Sequence, residues 1–269
     1  LLDLIERERI SDLIFAISGQ MSPDMLREVM RAAELGVSIT TMPIIYEEIM
    51  GRVPIALLQS DWLLRYLVDQ IRVEGFYEVG KRLMDIFGAL VGLLILLLAL
   101  PFIALAILID TGFPVFYSQA RAGKNGHIYR MFKFRTMFTD AEKDGSPKVT
   151  VENDNRITRV GWFLRRTHLD ELPQFLNVLM GDMSLVGPRA KRPELMDVLQ
   201  EVVPFYRARL MVRPGLTGWA QVNFGYASNA EATAIKTEYD LYYIKHRNLF
   251  LDITILFRTV GTVIGFRGQ

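Results

Sequence analysis

Two short apolar runs, Leu13 to Ile17 and Val37 to Thr41, flank a stretch from Asp24 to Leu35 in which charged and apolar residues recur at helical spacing, and Gly36 follows it. A glycine just past the last periodic position is a helix stop. The segment therefore reads as strand, helix, strand. Residues Gly51 to Gly80 read as a connector with a short amphipathic piece from Trp62 to Val68. The strongest pattern comes next: Ile86 to Ile109 carries no charge and is long enough for a membrane helix. Pro101 lies inside it, where it removes a backbone hydrogen bond and predicts a kink. Both flanks are basic, Lys81 and Arg82 before it and the series from Arg121 to Arg135 after it, whereas a plain span keeps its basic excess on one side. A re-entrant hairpin satisfies both ends. From these residues alone the hairpin and the plain span both stay open, with a buried core helix as a third reading. From Pro114 the chain turns globular, with mixed charge and regular turn signals. The tail from Leu249 to Phe266 is apolar and periodic, with Asp252 and Arg258 its only charges, which fits either a helix lying on the bilayer or one packed on the core.

A length of 269 residues allows two domains. A strand-helix-strand unit is a piece of a Rossmann-like parallel sheet, but no Gly-x-Gly-x-x-Gly turn is present to hold a dinucleotide, so a structural or dimerisation module is expected there. The first ten residues have neither an initiator Met nor a signal pattern, and the chain reads as an N-terminally truncated fragment that runs straight into a strand. Net charge is only +1, yet Arg121, Lys124, Arg130, Lys133 and Arg135 follow one another with no acid between them, as do Arg156, Arg159, Arg165 and Arg166. Such clusters on a near-neutral protein imply a local anion site, with no nucleic-acid partner expected. There is no cysteine, and His127, His168 and His246 have no zinc spacing, so any metal would be held by oxygen.

The segment from Thr167 to Gln174 reads Thr-His-Leu-Asp-Glu-Leu-Pro-Gln and leads into an apolar helix that stops at Gly181. Asp170 has the chemistry of an N-cap, Glu171 that of a first-turn acid, and Pro173 that of a first-turn proline. The same geometry carries a functional reading: a helix N-terminus accepts phosphate, and adjacent carboxylates on a helix diverge by about 100° and so suit two different roles. Lys133-Phe134-Arg135-Thr136-Met137 alternates at strand period and places Lys133 and Arg135 on one face. Gly187-Pro188-Arg189 and Arg213-Pro214-Gly215-Leu216-Thr217-Gly218-Trp219 each set an arginine beside residues that stiffen or turn the backbone, which suits bidentate phosphate recognition.

Taken in order, these motifs resemble one family, the bacterial sugar transferases, which are monotopic polyprenyl-phosphate hexose-1-phosphate transferases. The resemblance runs from Lys81 to the C-terminus and includes Met183-Ser184-Leu185-Val186-Gly187-Pro188-Arg189 and the continuation Ala220-Gln221-Val222. Residues before Lys81 look like the end of the Rossmann-like module of the long members. The implied fold is an α+β membrane-associated catalytic domain with a re-entrant membrane helix, preceded by part of an α/β Rossmann-like domain. Its implied boundaries are a partial module at 1–60, a connector at 61–80, a membrane helix broken at Pro101 across 81–110, and a catalytic domain at 111–269.

The resemblance further implies a two-step reaction. Asp170 would attack the sugar-bearing phosphorus of a UDP-sugar and expel UMP, and undecaprenyl phosphate would then take the sugar phosphate. Glu171 would help hold Mg²⁺, with Asp170 as the second carboxylate ligand, or align the second phosphate, and Lys133, Arg135, Arg165, Arg189 and Arg213 would contact phosphate. The implied setting is the cytoplasmic face of the bacterial inner membrane, in contact with membrane lipid, on the path to an exopolysaccharide, capsule or O-antigen. A homodimer is also expected. Two departures stand out: Leu100 precedes Pro101 where the family often has serine, and Ala190 follows Arg189 where it has proline. The rival readings are a glycosyltransferase that moves sugar alone, which would release UDP, and a non-catalytic membrane scaffold whose basic clusters hold anionic headgroups.

Overall fold

The computed structural model describes residues 1–16, 21–57, 74–141, 154–225 and 229–264. The chain divides into two compact units, Leu1–Tyr66 and Leu67–Gln269. In the first, helix α1 (Leu2–Glu8) precedes strand β1 (Asp12–Phe15), helix α2 (Pro23–Glu34), strand β2 (Ser38–Thr41) and helix α3 (Met42–Met50). β1 and β2 pair in parallel, Asp12 opposite Ser38 and Phe15 opposite Thr41, with α2 as the crossover. Ser22 caps α2 by accepting a hydrogen bond from the Met25 amide, and Gly36 turns the chain at its far end with φ 84°. The expected strand-helix-strand unit is thus present, as a two-stranded sheet among the described residues. The sequence did not predict α1, whose Ile5 packs with Ala32 and Val37. The amphipathic piece at Trp62 to Val68 lies outside the described residues.

The first described element of the second unit is one long helix, α4 (Glu74–Thr111), which is 38 residues long and so about 57 Å at 1.5 Å per residue. Pro101 sits inside it and does not divide it into two helices. Lys81, Asp85, Ala89, Leu96, Ile103 and Ile107 are buried, a stripe at helical spacing. The opposite face exposes Leu83, Phe87, Leu90, Leu94, Leu98 and Phe102. One stripe of the helix is therefore built for protein and the rest for an apolar surrounding.

Both ends of α4 are fastened to the same globular body. Near the start, Lys81 Nζ lies 3.0 Å from the Asp252 carboxylate and donates to the Val186 carbonyl, while Asp85 accepts from Ser184 Oγ and the Leu185 amide. At the far end, Asp110 accepts from the Val160 amide, and the Arg135 guanidinium donates to Thr111 Oγ1 and the Gly112 and Phe113 carbonyls.

After α4 come strands β3 (Phe116–Ala122) and β4 (Ile128–Phe134), an antiparallel pair, then helices α5 (Arg159–Arg166) and α6 (Gln174–Met180). Strand β5 (Ser184–Val186), helix α7 (Pro193–Val202), strand β6 (Gly215–Thr217), helix α8 (Trp219–Asn223), helix α9 (Ala230–His246) and helix α10 (Leu249–Ile264) complete the unit. β5 and β6 form a short parallel pair. α10 buries Asp252 and Ile255 against the core and exposes Phe250, Ile253, Phe257 and Val260. It therefore has both an inward face and an outward apolar one.

Candidate active site

Asp170 is carried by a 3₁₀ turn, Leu169–Glu171, and not by the N-cap of a helix. Pro173 occupies the N-cap position of α6, so the turn precedes that helix by two residues. His168 supplies the change of direction: its φ of 56° and ψ of 13° place it in the left-handed region, uncommon for a residue with a side chain. Leu169 and Leu172 flank the two acids and pack into the cluster of Leu96, Ile103, Ile107, Phe134 and Leu164. The apolar helix α4 is thus the floor on which the acidic turn sits.

Strand β4 brings Lys133 to the same place. Its neighbour Phe134 is 1 % exposed and shares that cluster. Asn177 of α6, fully buried, accepts from the Phe132 amide and donates to the Arg130 carbonyl, which locks the strand to the helix following the acidic turn. Lys133 Nζ lies 2.7 Å from Glu171 Oε1 and 3.6 Å from Asp170 Oδ2.

Arg189 reaches the site from the loop after β5. Its Nη2 donates to the same Glu171 Oε1 at 2.6 Å. The loop is held by close backbone contact with the segment around β6: the Gly215 amide donates to the Pro188 carbonyl and the Gly187 amide to the Thr217 carbonyl. A side chain at Gly187 would meet backbone atoms of Arg213, Pro214 and Gly215, which explains the glycine there. The two arginine-bearing loops of the sequence are therefore one packed unit.

The two acids differ in environment. Burial raises the Asp170 pKa, with Lys133 opposing it and Glu171 adding to it. Burial also acts to raise that of Glu171, but Arg189 and Lys133 outweigh it and hold the group well below the usual carboxylate range. Among the described residues Asp170 accepts no side-chain hydrogen bond, and its ion pair with Lys133, at 3.6 Å, involves Oδ2 and leaves Oδ1 outside it. Glu171 is the clamped member, although neither of its short bonds uses Oε2. Arg165 lies near enough for its charge to favour the ionised form of Asp170, and its Nε donates to Thr136 Oγ1. Three cations, Lys133, Arg165 and Arg189, thus surround two carboxylates. The excess positive charge suits an incoming phosphate.

The other two expected phosphate contacts lie elsewhere. Arg135 is 6 % exposed and its guanidinium is engaged by the C-terminal end of α4, so it does not join Lys133. The reason is local: β4 ends at Phe134, and the alternation that would have kept the two side chains together stops there. Arg213 lines a separate concavity at the base of α4 with Lys81, Asp85, Lys124 and Tyr243, outside the ion-pair cluster.

Sequence reasoning did not single out Asn177, Asp85 or Asp252. Their roles depend on partners 45, 99 and 175 residues away, and no local pattern marks such pairs. No group of three or more acidic or histidine side chains among the described residues could hold a metal by itself. Asp170 Oδ1 and Glu171 Oε2 are hard oxygens outside the ion pairs, and they fit Mg²⁺ provided that substrate phosphate completes its ligands.

Comparison with known proteins adds a family. The family model for the bacterial sugar transferases matches residues 76–266. A UDP-N-acetylgalactosamine-undecaprenyl-phosphate N-acetylgalactosaminephosphotransferase of Aeromonas hydrophila is 41 % identical over 220 residues, covering 82 % of this chain and 51 % of that protein. The exopolysaccharide production protein PSS of Rhizobium leguminosarum bv. phaseoli is 43 % identical over 187 residues, 68 % of this chain and 94 % of its own length. A UDP-glucose:undecaprenyl-phosphate glucose-1-phosphate transferase of Escherichia coli K12 is 40 % identical over 190 residues, 70 % of this chain and 41 % of that protein. The chain thus spans about half the length of the Aeromonas relative and nearly all of the matched Rhizobium protein.

Proposed function

Because the chain belongs to the bacterial sugar transferase family, we propose that it transfers a hexose-1-phosphate from a UDP-hexose of the glucose or galactose series to undecaprenyl phosphate. The observation that carries this reading is the unequal pair at the centre of the site. Among the described residues Asp170 is held only by a longer ion pair from Lys133 to its Oδ2, with Oδ1 outside it, while Glu171 is clamped by Lys133 and Arg189 at short distance. In the first step an Asp170 oxygen bonds to the sugar-bearing phosphorus, and the bond from that phosphorus to the bridging oxygen breaks. UMP leaves with the electron pair. In the second step a phosphate oxygen of undecaprenyl phosphate attacks the same phosphorus and displaces the carboxylate, which regenerates Asp170 and gives a polyprenyl-diphosphate sugar. Lys133, Arg165 and Arg189 hold the phosphates and oppose the charge that gathers on them in each step. Mg²⁺, when bound at Asp170 and Glu171, neutralises pyrophosphate charge.

The acceptor's long apolar chain requires a membrane surface, and α4 supports one. A straight span would put its ends on opposite sides of a bilayer about 30 Å thick. Here both ends are held by one charged domain, through Lys81 and Asp85 at the start and Asp110 and Arg135 at the end. We therefore read α4 as re-entrant in the membrane, with the catalytic domain on the cytoplasmic face and the outward faces of α4 and α10 in lipid. Pro101, which lacks an amide hydrogen, is the position at which the continuous helix would bend. The product would enter exopolysaccharide, capsule or O-antigen synthesis.

The test is the leaving group. Full-length chain in membranes, given undecaprenyl phosphate and a panel of UDP-sugars, should release UMP with one or two of them. Release of UDP would replace this reading with direct sugar transfer. Incubation with UDP-sugar alone should add one hexose phosphate to the intact mass, located on Asp170.

A further inference from the structure

Strand β4 carries Lys133 to the acidic turn, yet among the described residues it pairs with one strand only, β3. Across that pair the Arg135 amide donates to the Val115 carbonyl and the Gly123 amide to the His127 carbonyl. Alternation by two then turns the Phe132 amide and the Arg130 carbonyl outward, to the open edge of β4. Asn177 of α6 covers this edge. Its Oδ1 accepts from the Phe132 amide at 3.0 Å and its Nδ2 donates to the Arg130 carbonyl at 2.8 Å, the two bonds that a peptide group of a third strand would make. The second hydrogen on Nδ2 goes to Asp182 Oδ2 at 3.3 Å.

The main chain of the same residue ties a second segment. The Asn177 carbonyl accepts from the amides of Gly181, Asp182 and Met183 at 3.1, 3.0 and 3.2 Å. Those bonds close the turn from α6 into β5, and the loop after β5 delivers Arg189 to Glu171 at 2.6 Å. Asn177 therefore joins α6, which follows the acidic turn, to both chains that bring a cation to it. An apolar side chain would fill this buried place as its neighbour Val178 does. It would leave the Phe132 amide and the Arg130 carbonyl without their partner, and the strand would have to shift to find others. Little slack exists for such a shift, because Lys133 Nζ stands 2.7 Å from Glu171 Oε1 and 3.6 Å from Asp170 Oδ2.

We propose that Asn177 is a positioning residue for the transfer, which sets Lys133 and Arg189 against the Asp170–Glu171 pair without touching a reacting group. The inference rests on the proposed reaction through Asp170. It adds that the separation of roles between the two carboxylates depends on one carboxamide outside the ion-pair cluster. The charged groups acting on Asp170 are Lys133 from β4, Glu171 from its own turn, Arg165 from α5 and Arg189 from the loop after β5. Burial raises the Asp170 pKa, and Lys133 is the strongest of the charges that oppose this rise. A displaced Lys133 therefore leaves Asp170 harder to ionise.

The experiment is the pH profile of kcat/KM for UMP release by the full chain in membranes, with thermal melts of the same preparations. Asn177→Leu is neutral and similar in size, so it removes the three side-chain bonds without adding charge. It should cut kcat/KM at neutral pH about tenfold or more and move the acid limb of the profile to higher pH. Val178→Ala, which opens a cavity in the same helix, should lower the melting temperature and leave the acid limb where it is. Asn177→Ser keeps a hydroxyl for one of the three bonds and should show the same upward move to a smaller extent. It carries the test if Asn177→Leu does not fold or does not turn over. An acid limb that stays in place in the Asn177 variants overturns the assignment, and so does an equal move in Val178→Ala, which would make Asn177 a core residue and nothing more. A wild-type chain that releases no UMP refutes the proposed reaction itself, a result separate from either of these.

Discussion

Asp170 and Glu171 are neighbours in sequence, yet their surroundings push their protonation in opposite directions. Burial raises the pKa of Asp170, whereas Arg189 and Lys133 prevail over burial at Glu171. The proposed nucleophile must be ionised, so kcat/KM should fall as pH falls through the raised Asp170 value. The acid limb of the profile should lie above the ordinary aspartate range, and a limb at or below it would count against Asp170 as nucleophile. Asp170→Asn should cut turnover by at least about 10³-fold and abolish the mass adduct, since a carboxamide does not attack phosphorus. The same substitution should raise the melting temperature at neutral pH. A carboxylic acid whose folded pKa is raised binds its proton more tightly in the folded state, so its contribution to stability declines as pH rises above the unfolded value. Thermal melts at neutral and acidic pH check the sign: the gain should shrink as pH falls. Two adjacent acids ahead of Pro173 are visible in the sequence, but their setting is not. Asp170 followed by Glu171 and Pro173 has the pattern of a capped helix, and the cap reading fails because His168, in a left-handed conformation, starts a separate 3₁₀ turn before α6. Lys133 and Arg135 show the same limit, since strand alternation cannot reveal that β4 stops between them.

At the scale of elements, α4 does two jobs that its sequence shows unequally. The uncharged run from Ile86 to Ile109 is plain in the pattern. Its extension back to Glu74 is not, because Lys81 and Asp85 look like surface charges until Asp252, Ser184 and Leu185 are brought to them by folding. Strands β5 and β6 were equally hidden: each has three residues, and they exist because Gly187 and Gly215 let two backbones approach. α4 also positions the site through a seam of small residues. A side chain at Gly92 would strike the Phe175 ring, and one at Gly88 would strike Leu185. Gly92→Val should displace α6 and the acidic turn before it, lowering kcat about tenfold or more. The outward face with Phe87, Leu94 and Phe102 is untouched, so the variant should still sediment with membranes. Loss of membrane binding in step with activity would show that the seam is not specific to the site. Topology is tested separately, with single cysteines in place of Val79 and Phe113, both exposed and at opposite ends of α4. A re-entrant helix predicts labelling of both from the cytoplasmic side, and labelling from opposite sides would refute it.

For the whole molecule, the division into two units separates what the proposed chemistry needs from what it does not. Every residue assigned a part in the reaction, together with the full extent of the family match at residues 76–266, falls within Leu67–Gln269. The Rhizobium relative is aligned over 94 % of its length by 187 residues of this chain, so a protein close to the size of the second unit alone occurs in the family. The first unit has its own sheet and its own cluster of Ile5, Ala32 and Val37, as expected of a part that folds by itself. Removal of residues 1–66 should therefore leave UMP release in membranes within about threefold of the longer chain, a change smaller than about 1 kcal/mol in the barrier. Chemical cross-linking of the two forms should separate the remaining role: a shift from dimer to monomer on truncation would assign self-association to the strand-helix-strand unit. If truncation abolished turnover while the shortened chain kept its fold and its membrane binding, the first unit would have to contribute to the site. The excess of cations around Glu171 would then need a partner from outside the second unit.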